Sequence, residues 1–117
     1  NAKRDFLYVD DMAQASLYVL MLNEDIYRIN TQPMLSHINI GTGKDITIRE
    51  VAHTIKEVVG YSGELTFDIS KPDGSPKKLI DTSRLSNMGW NYSTDLKEGL
   101  KKTYDWYLKE KYKNNNS

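Results

Sequence analysis

The pattern of apolar and polar positions predicts an alternation of short strands and helices. Phe6-Leu7-Tyr8-Val9 is an aromatic and β-branched run without a breaker, which reads as a strand. Asp10 and Asp11 follow, and either can cap a helix by accepting from the free N–H groups of a first turn. That helix is predicted over about Met12 to Leu22; it is apolar on most sides and so is expected to be largely buried. Asn23 to Leu35 is mixed in character and reads as a loop with one irregular turn. His37-Ile38-Asn39-Ile40 reads as a second strand, closed by Gly41-Thr42-Gly43.

The clearest helix signal follows. Thr47-Ile48-Arg49-Glu50 has the spacing of a capping box, in which the hydroxyl and the carboxylate each satisfy a backbone donor. Ile48, Val51, Ala52, Ile55, Val58 and Val59 then recur on one helical face, and Gly60 is placed to stop it. Leu65, Phe67 and Ile69 alternate with polar residues, as in a strand with one buried face. Lys71 to Lys78 is a polar loop with two prolines and a glycine. Leu79-Ile80-Asp81 reads as a short strand and Ser83 to Met88 as a short helix. Asp95 with Glu98 marks a capped start for a last helix over about Leu96 to Lys111, burying Leu96, Leu100, Tyr104, Tyr107 and Leu108. Glu98 with Lys102 and Asp105 with Lys109 are i,i+4 pairs on its wet face. The predicted order, β-α-β-α-β-(β)-α-α, is α/β layering without an internal repeat. One domain over residues 1–113 and a disordered tail over 114–117 are expected.

Composition narrows the function classes. The chain has 117 residues, room for one domain, and 16 acidic side chains against 16 basic ones. A balanced charge argues against a nucleic-acid binder. The absence of cysteine excludes disulfides, cysteine-type zinc sites and thiol nucleophiles, and is compatible with the cytoplasm. No apolar run approaches the roughly 18 residues of a membrane helix. The first residue is Asn1 rather than Met, as in a piece of a longer protein.

Candidate chemistry is sparse. Gly41-Thr42-Gly43 lies between a strand and a helix, where glycines let N–H groups approach a phosphate; the third glycine of a dinucleotide fingerprint is missing, so a plain tight turn fits better. Arg4, before the first strand, could fork onto a diphosphate or simply be solvated. The loop Lys71-Pro72-Asp73-Gly74-Ser75-Pro76-Lys77-Lys78 sets one carboxylate among three lysines. Asp73 could accept from a ribose diol and the lysines could face phosphates; a solvated loop with Asp73 opening a turn fits equally well. His37 and His53 have no spaced ligand set around them, and no metal is expected. Tyr104, Trp106 and Tyr107 stand at packing spacing, and the lysines from Lys97 to Lys113 form a solvated face. No nucleophile, base and oxyanion site come together.

Taken together, several segments resemble GDP-L-fucose synthases, which are extended short-chain dehydrogenase/reductases. They are Arg4-Asp5-Phe6-Leu7-Tyr8-Val9-Asp10-Asp11-Met12-Ala13, the stretch from Asn30 through Pro33-Met34-Leu35-Ser36-His37 to Gly43, Thr47-Ile48-Arg49-Glu50, Ser70 to Leu79, and Gly89-Trp90. The first segment and the Gly-Thr-Gly turn occur across many sugar-nucleotide epimerases. The Lys-Pro-Asp-Gly-Ser-Pro-Lys-Lys loop and the Pro-Met-Leu-Ser-His stretch narrow the match.

The resemblance implies the carboxy-terminal, substrate-binding part of such an enzyme, without its Rossmann domain. Arg4 matches an arginine that contacts the GDP portion, Asp73 a residue of the substrate site, and Lys78 a lysine near the phosphates. The family uses NADPH, epimerises GDP-4-keto-6-deoxymannose at C3 and C5, and reduces C4. Its catalytic Ser and its epimerising Cys and His are not in this chain, and no Tyr is followed four residues later by Lys in a matching context, so this piece alone is expected to be inactive, with no cofactor of its own. Another GDP-sugar epimerase or reductase, or a non-catalytic nucleotide-sugar-binding module, are the alternatives. The His37–Ile40 strand resembles one that joins the cofactor-domain sheet. Left without that sheet, its edges imply self-association.

Overall fold

The computed structural model describes residues 2–116. Among the described residues, three two-residue strands and five helices follow one another. They are β1 (Lys3–Arg4), α1 (Val9–Leu20), α2 (Glu24–Asn30), β2 (Ile46–Thr47), α3 (Ile48–Val59), β3 (Lys77–Lys78), α4 (Ser83–Asn87) and α5 (Leu96–Asn115). The sheet order is β2-β1-β3, with β1 antiparallel to β2 and parallel to β3. Helices around a small mixed sheet fit the expected α/β class.

The strongest local signals behave as read. Thr47 Oγ1 accepts from the Glu50 amide, and the Glu50 carboxylate accepts from the Thr47 amide at 2.9 Å. Gly60 ends α3 in the left-handed region at φ 74°, and its N–H reaches the Lys56 and Glu57 carbonyls. Asp95 caps α5 by accepting from the Glu98 amide, and the Glu98–Lys102 pair closes at 3.3 Å. Helix α4 falls where a short helix was expected.

The predicted strands do not form as placed. Phe6–Tyr8 is irregular and Val9 already opens α1; the pairing sits earlier, at Lys3–Arg4, because the Asp5 side chain is drawn into the 41–43 turn. His37–Ile40 forms no strand; Ile38 and Ile40 instead pack against the cluster of Ala15, Leu85 and Met88. Leu65–Ile69 forms no strand either: Ile69 is 95% exposed, and Phe67 lies under the Arg49 guanidinium at 4.1 Å. The short strand read at Leu79–Asp81 forms two residues earlier, as β3.

The expected loop after α1 contains α2, whose start the Asn23 side chain caps by accepting from the Asp25 amide. Helix α5 runs on through Asn115, so Asn114 and Asn115 are helical rather than tail; Ser117 lies outside the described residues.

Two packing centres hold these elements. Ala15, Leu85 and Met88 form the first, with Val19, Leu22, Ile38, Ile40 and Trp90 around them. The second is α3 against α5; Val51 is the buried residue of α3. The core is thin. A compact chain of this length has a radius of gyration of about 13 Å; here it is 18.0 Å, over 52 × 42 × 21 Å. Helix α1, expected to be largely buried, buries only Asp11 and Ala15; Leu17 and Leu20 are 56% and 80% exposed.

Candidate nucleotide-binding site

The central strand β1 organises the region. Its pairing with β3 sets Arg4 beside Lys78 and Lys3 beside Lys77. Register partners on adjacent strands share a face and lie about 4.8 Å apart. Arg4 and Lys78 therefore form one row, Lys3 and Lys77 the other. The second row is neutralised locally: Lys77 Nζ lies 3.8 Å from Asp45 Oδ2, and Lys3 stands near enough to Glu50 to favour its carboxylate. The Glu50 pKa is lowered chiefly by hydrogen bonds from the Thr47 hydroxyl and amide.

Asp73 arrives on the loop that feeds β3. The Lys3 amide donates to the Pro76 carbonyl at 2.9 Å, carrying the β1–β3 pairing back into that loop. Arg4 Nη1 donates to the Ser75 carbonyl at 2.9 Å and to the Lys3 carbonyl at 2.6 Å. Gly74 turns in the left-handed region at φ 75°, and a Cβ built there would stand 3.8 Å from Arg4 Nη2. The structure thus brings Arg4, Lys78 and the Asp73 loop to one end of the sheet, with Asp73 and Lys78 exposed and Arg4 half-buried. A cavity of about 270 Å³ between Phe6–Val9 and the first turns of α5 includes none of the three. Tyr8, in its wall, has its pKa raised by partial desolvation and then by Asp10.

The Gly41-Thr42-Gly43 turn is committed elsewhere. The Asp5 carboxylate accepts from the Thr42 amide at 3.1 Å, the Thr42 hydroxyl at 2.5 Å and the Gly43 amide at 2.9 Å. A carboxylate occupies the place a phosphate would need, so the tight-turn reading holds and the turn does not suit a cofactor phosphate.

Asp11 is the second buried organiser. It does not cap α1. The helix starts at Val9, and Asp11, 2% exposed, accepts from the Ser93 amide and hydroxyl and from the Thr94 amide. It ties α1 to the turn that launches α5. Neither anchor has a local signal, since their partners lie 37 to 38 and 82 to 83 residues away. Among the described residues, no three His, Cys, Asp or Glu side chains group as a metal site, and no helix is long and apolar enough to cross a membrane.

The chain is 57% identical over 105 residues to GDP-L-fucose synthase of Escherichia coli K12, a match covering 90% of this chain and 33% of that protein. This chain is homologous to one third of a GDP-L-fucose synthase. Among solved structures, it superposes on a GDP-6-OMe-4-keto-L-xylo-heptose reductase of Campylobacter jejuni with a TM-score of 0.83 at 38% identity, covering 94% of this chain and 32% of that one. A GDP-D-glycero-L-gluco-heptose synthase of the same organism, solved in the presence of NADPH, gives a TM-score of 0.80 at 35% identity, covering 92% and 31%. No protein-family model matches the chain. The chain spans about a third of the length of the relatives it matches.

Proposed function

We propose that this chain is the carboxy-terminal, substrate-holding part of a GDP-L-fucose synthase. The whole enzyme would use NADPH to reduce C4 of a GDP-4-keto-6-deoxy sugar after epimerising it at C3 and C5. In this reading the Arg4 guanidinium forks onto the diphosphate, Lys78 adds a second positive charge beside it, and Asp73 accepts from the ribose diol. The observation that carries the reading is the β1–β3 register. It sets two cations side by side on one face, next to the loop that bears a carboxylate. Binding energy gathered at the nucleotide end would position the sugar at the reacting centre.

The hydride donor and the proton-transfer groups would come from the remaining two thirds of the protein. The Gly41–Gly43 turn is already filled by Asp5, so NADPH has no cradle there. This piece alone is therefore proposed to be inactive. The same remainder would cover the apolar side of α1, where Leu17, Leu20 and Met21 stand exposed. Alone, the chain would self-associate through that side rather than through a bare strand edge. A different GDP-sugar reductase is the second reading, favoured by the superposition on the heptose reductase.

The test is a titration of the 117-residue chain with GDP-L-fucose, followed by NMR, with UDP-galactose as control. Shifts at Arg4, Asp73 and Lys78 with the GDP-sugar alone support the site. Arg4→Ala should then weaken binding about 10- to 100-fold, the worth of a charged hydrogen-bonded pair. Equal shifts with both sugars, or none at these residues, would remove the assignment.

A further inference from the structure

We propose that Arg4 is also the positioning residue of the 71–76 loop, so that it sets Asp73 at the ribose as well as meeting the diphosphate. The inference rests on the nucleotide-site reading above and concerns how that site is held together.

Residues 71–76 have no helix or strand, and every one of them is exposed. A segment with no buried side chain gains little from packing, so its place depends largely on the polar bonds it makes. Two hydrogen bonds tie its far end to β1. One is the ladder bond from the Lys3 amide to the Pro76 carbonyl. The other comes from a side chain: Arg4 Nη1 bridges the Lys3 carbonyl of its own strand and the Ser75 carbonyl of the loop. The guanidinium also lies over Gly74, the one residue of the loop in the left-handed region. Asp73 is the next residue along.

A guanidinium has five N–H donors in a rigid plane. Both bonds leave from Nη1, which donates one hydrogen to each carbonyl. The three N–H groups on Nε and Nη2 lie outside this clasp and can meet an acid group of the ligand. One residue can thus clasp the loop and receive the diphosphate together. A lysine could keep the charge but could not hold two carbonyls and a phosphate in one fixed plane.

Loss of Arg4 should therefore be felt at the ribose even when the ligand has no phosphate. GDP and guanosine binding would be measured for the wild-type chain, Arg4→Ala, Arg4→Lys, Asp73→Asn and Arg4→Ala/Asp73→Asn. The backbone mobility of residues 71, 73, 74 and 75 would be read by 15N relaxation. The expected result is that Arg4→Ala and Asp73→Asn each weaken guanosine binding about three- to tenfold, the worth of one hydrogen bond. The double variant should be no worse than either single one, and the loop should become mobile in Arg4→Ala. Arg4→Lys should retain part of the GDP affinity and lose the guanosine affinity; it carries the test if Arg4→Ala fails to fold. Normal guanosine binding by Arg4→Ala, with GDP binding lost, would leave Arg4 as a phosphate ligand and overturn the clasp. Unchanged loop mobility would overturn it regardless of ligand. Failure of the wild-type chain to bind either ligand would sink the nucleotide-site reading, and the clasp would then stand or fall on the relaxation data.

Discussion

Asp11→Ala should be among the most damaging single substitutions in this chain. The carboxylate is 2% exposed and accepts from the Ser93 amide at 3.3 Å, the Ser93 hydroxyl at 2.9 Å and the Thr94 amide at 2.9 Å. Truncation leaves all three donors without their acceptor at once. The Thr94 amide lies on a buried residue, and a buried donor left unsatisfied costs about 1–3 kcal/mol. The two Ser93 bonds, at a more exposed residue, add roughly 0.5–1.5 kcal/mol each. Relief from burying a charge offsets part of this, so a net loss of about 3 kcal/mol is expected. Asp11→Asn keeps the shape but turns an NH2 group towards donors, and should cost about 2 kcal/mol. Urea unfolding followed by circular dichroism measures both. With a slope of about 2 kcal/mol/M, Asp11→Ala moves the midpoint down by roughly 1.5 M. Asp10→Ala, at an exposed first-turn carboxylate, should cost no more than about 1 kcal/mol. An Asp11→Ala loss as small as that of Asp10→Ala would refute the idea that this carboxylate joins α1 to α5.

Three further outcomes follow from other contacts. The Glu50 pKa is lowered in the folded chain by its bonds from Thr47, so its stabilising effect is present above the unfolded carboxylate pKa and fades as pH falls through the folded one. Glu50→Gln should thus be less stable than wild type at neutral pH, with the gap closing in acid, as unfolding curves at stepped pH would report. Gly41→Ala would place a Cβ 2.8 Å from Asp5 Oδ2, a carboxylate already pinned by the 42–43 turn; a loss of about 2 kcal/mol in urea unfolding is expected. Leu17→Lys with Leu20→Lys should shift the isolated chain towards monomer in sedimentation velocity, and unchanged association would point to another face.

What the sequence made legible was whatever a short window contains. The capping box at Thr47–Glu50, the Gly60 stop and the Asp95 cap each complete themselves within a few residues, so local chemistry settles them. The same holds, in hindsight, for α2: Asn23 caps it within two residues, a signal masked by the polar composition of the stretch. The strands failed for the opposite reason. A strand needs a partner, and alternation at Leu65–Ile69 or an apolar run at Phe6–Val9 says only that a partner would be welcome. Where β1 does pair, at Lys3–Arg4, the sequence is two cations with no strand signal at all, held by neighbours 42 to 74 residues further along.

The candidate site divides along the same line. The residue types were readable, because a guanidinium, a lysine and a carboxylate near prolines and a glycine carry their chemistry in any context. Their convergence was not. Arg4 and the 73–78 stretch are about 70 residues apart in sequence, and it is the parallel β1–β3 register that makes one face of them. Asp5, which reads from the sequence as an ordinary acid beside Arg4, in the fold holds the turn that leads into β2, the other neighbour of β1. The two unannounced carboxylates thus divide the work: Asp5 ties the residue after β1 to the 41–43 turn, and Asp11 ties α1 to the turn before α5. If Arg4 holds the nucleotide as proposed, a substitution at Asp5 should weaken GDP binding by displacing Arg4 while the fold survives, whereas one at Asp11 should weaken it only through loss of fold, as titration beside a urea unfolding curve would report.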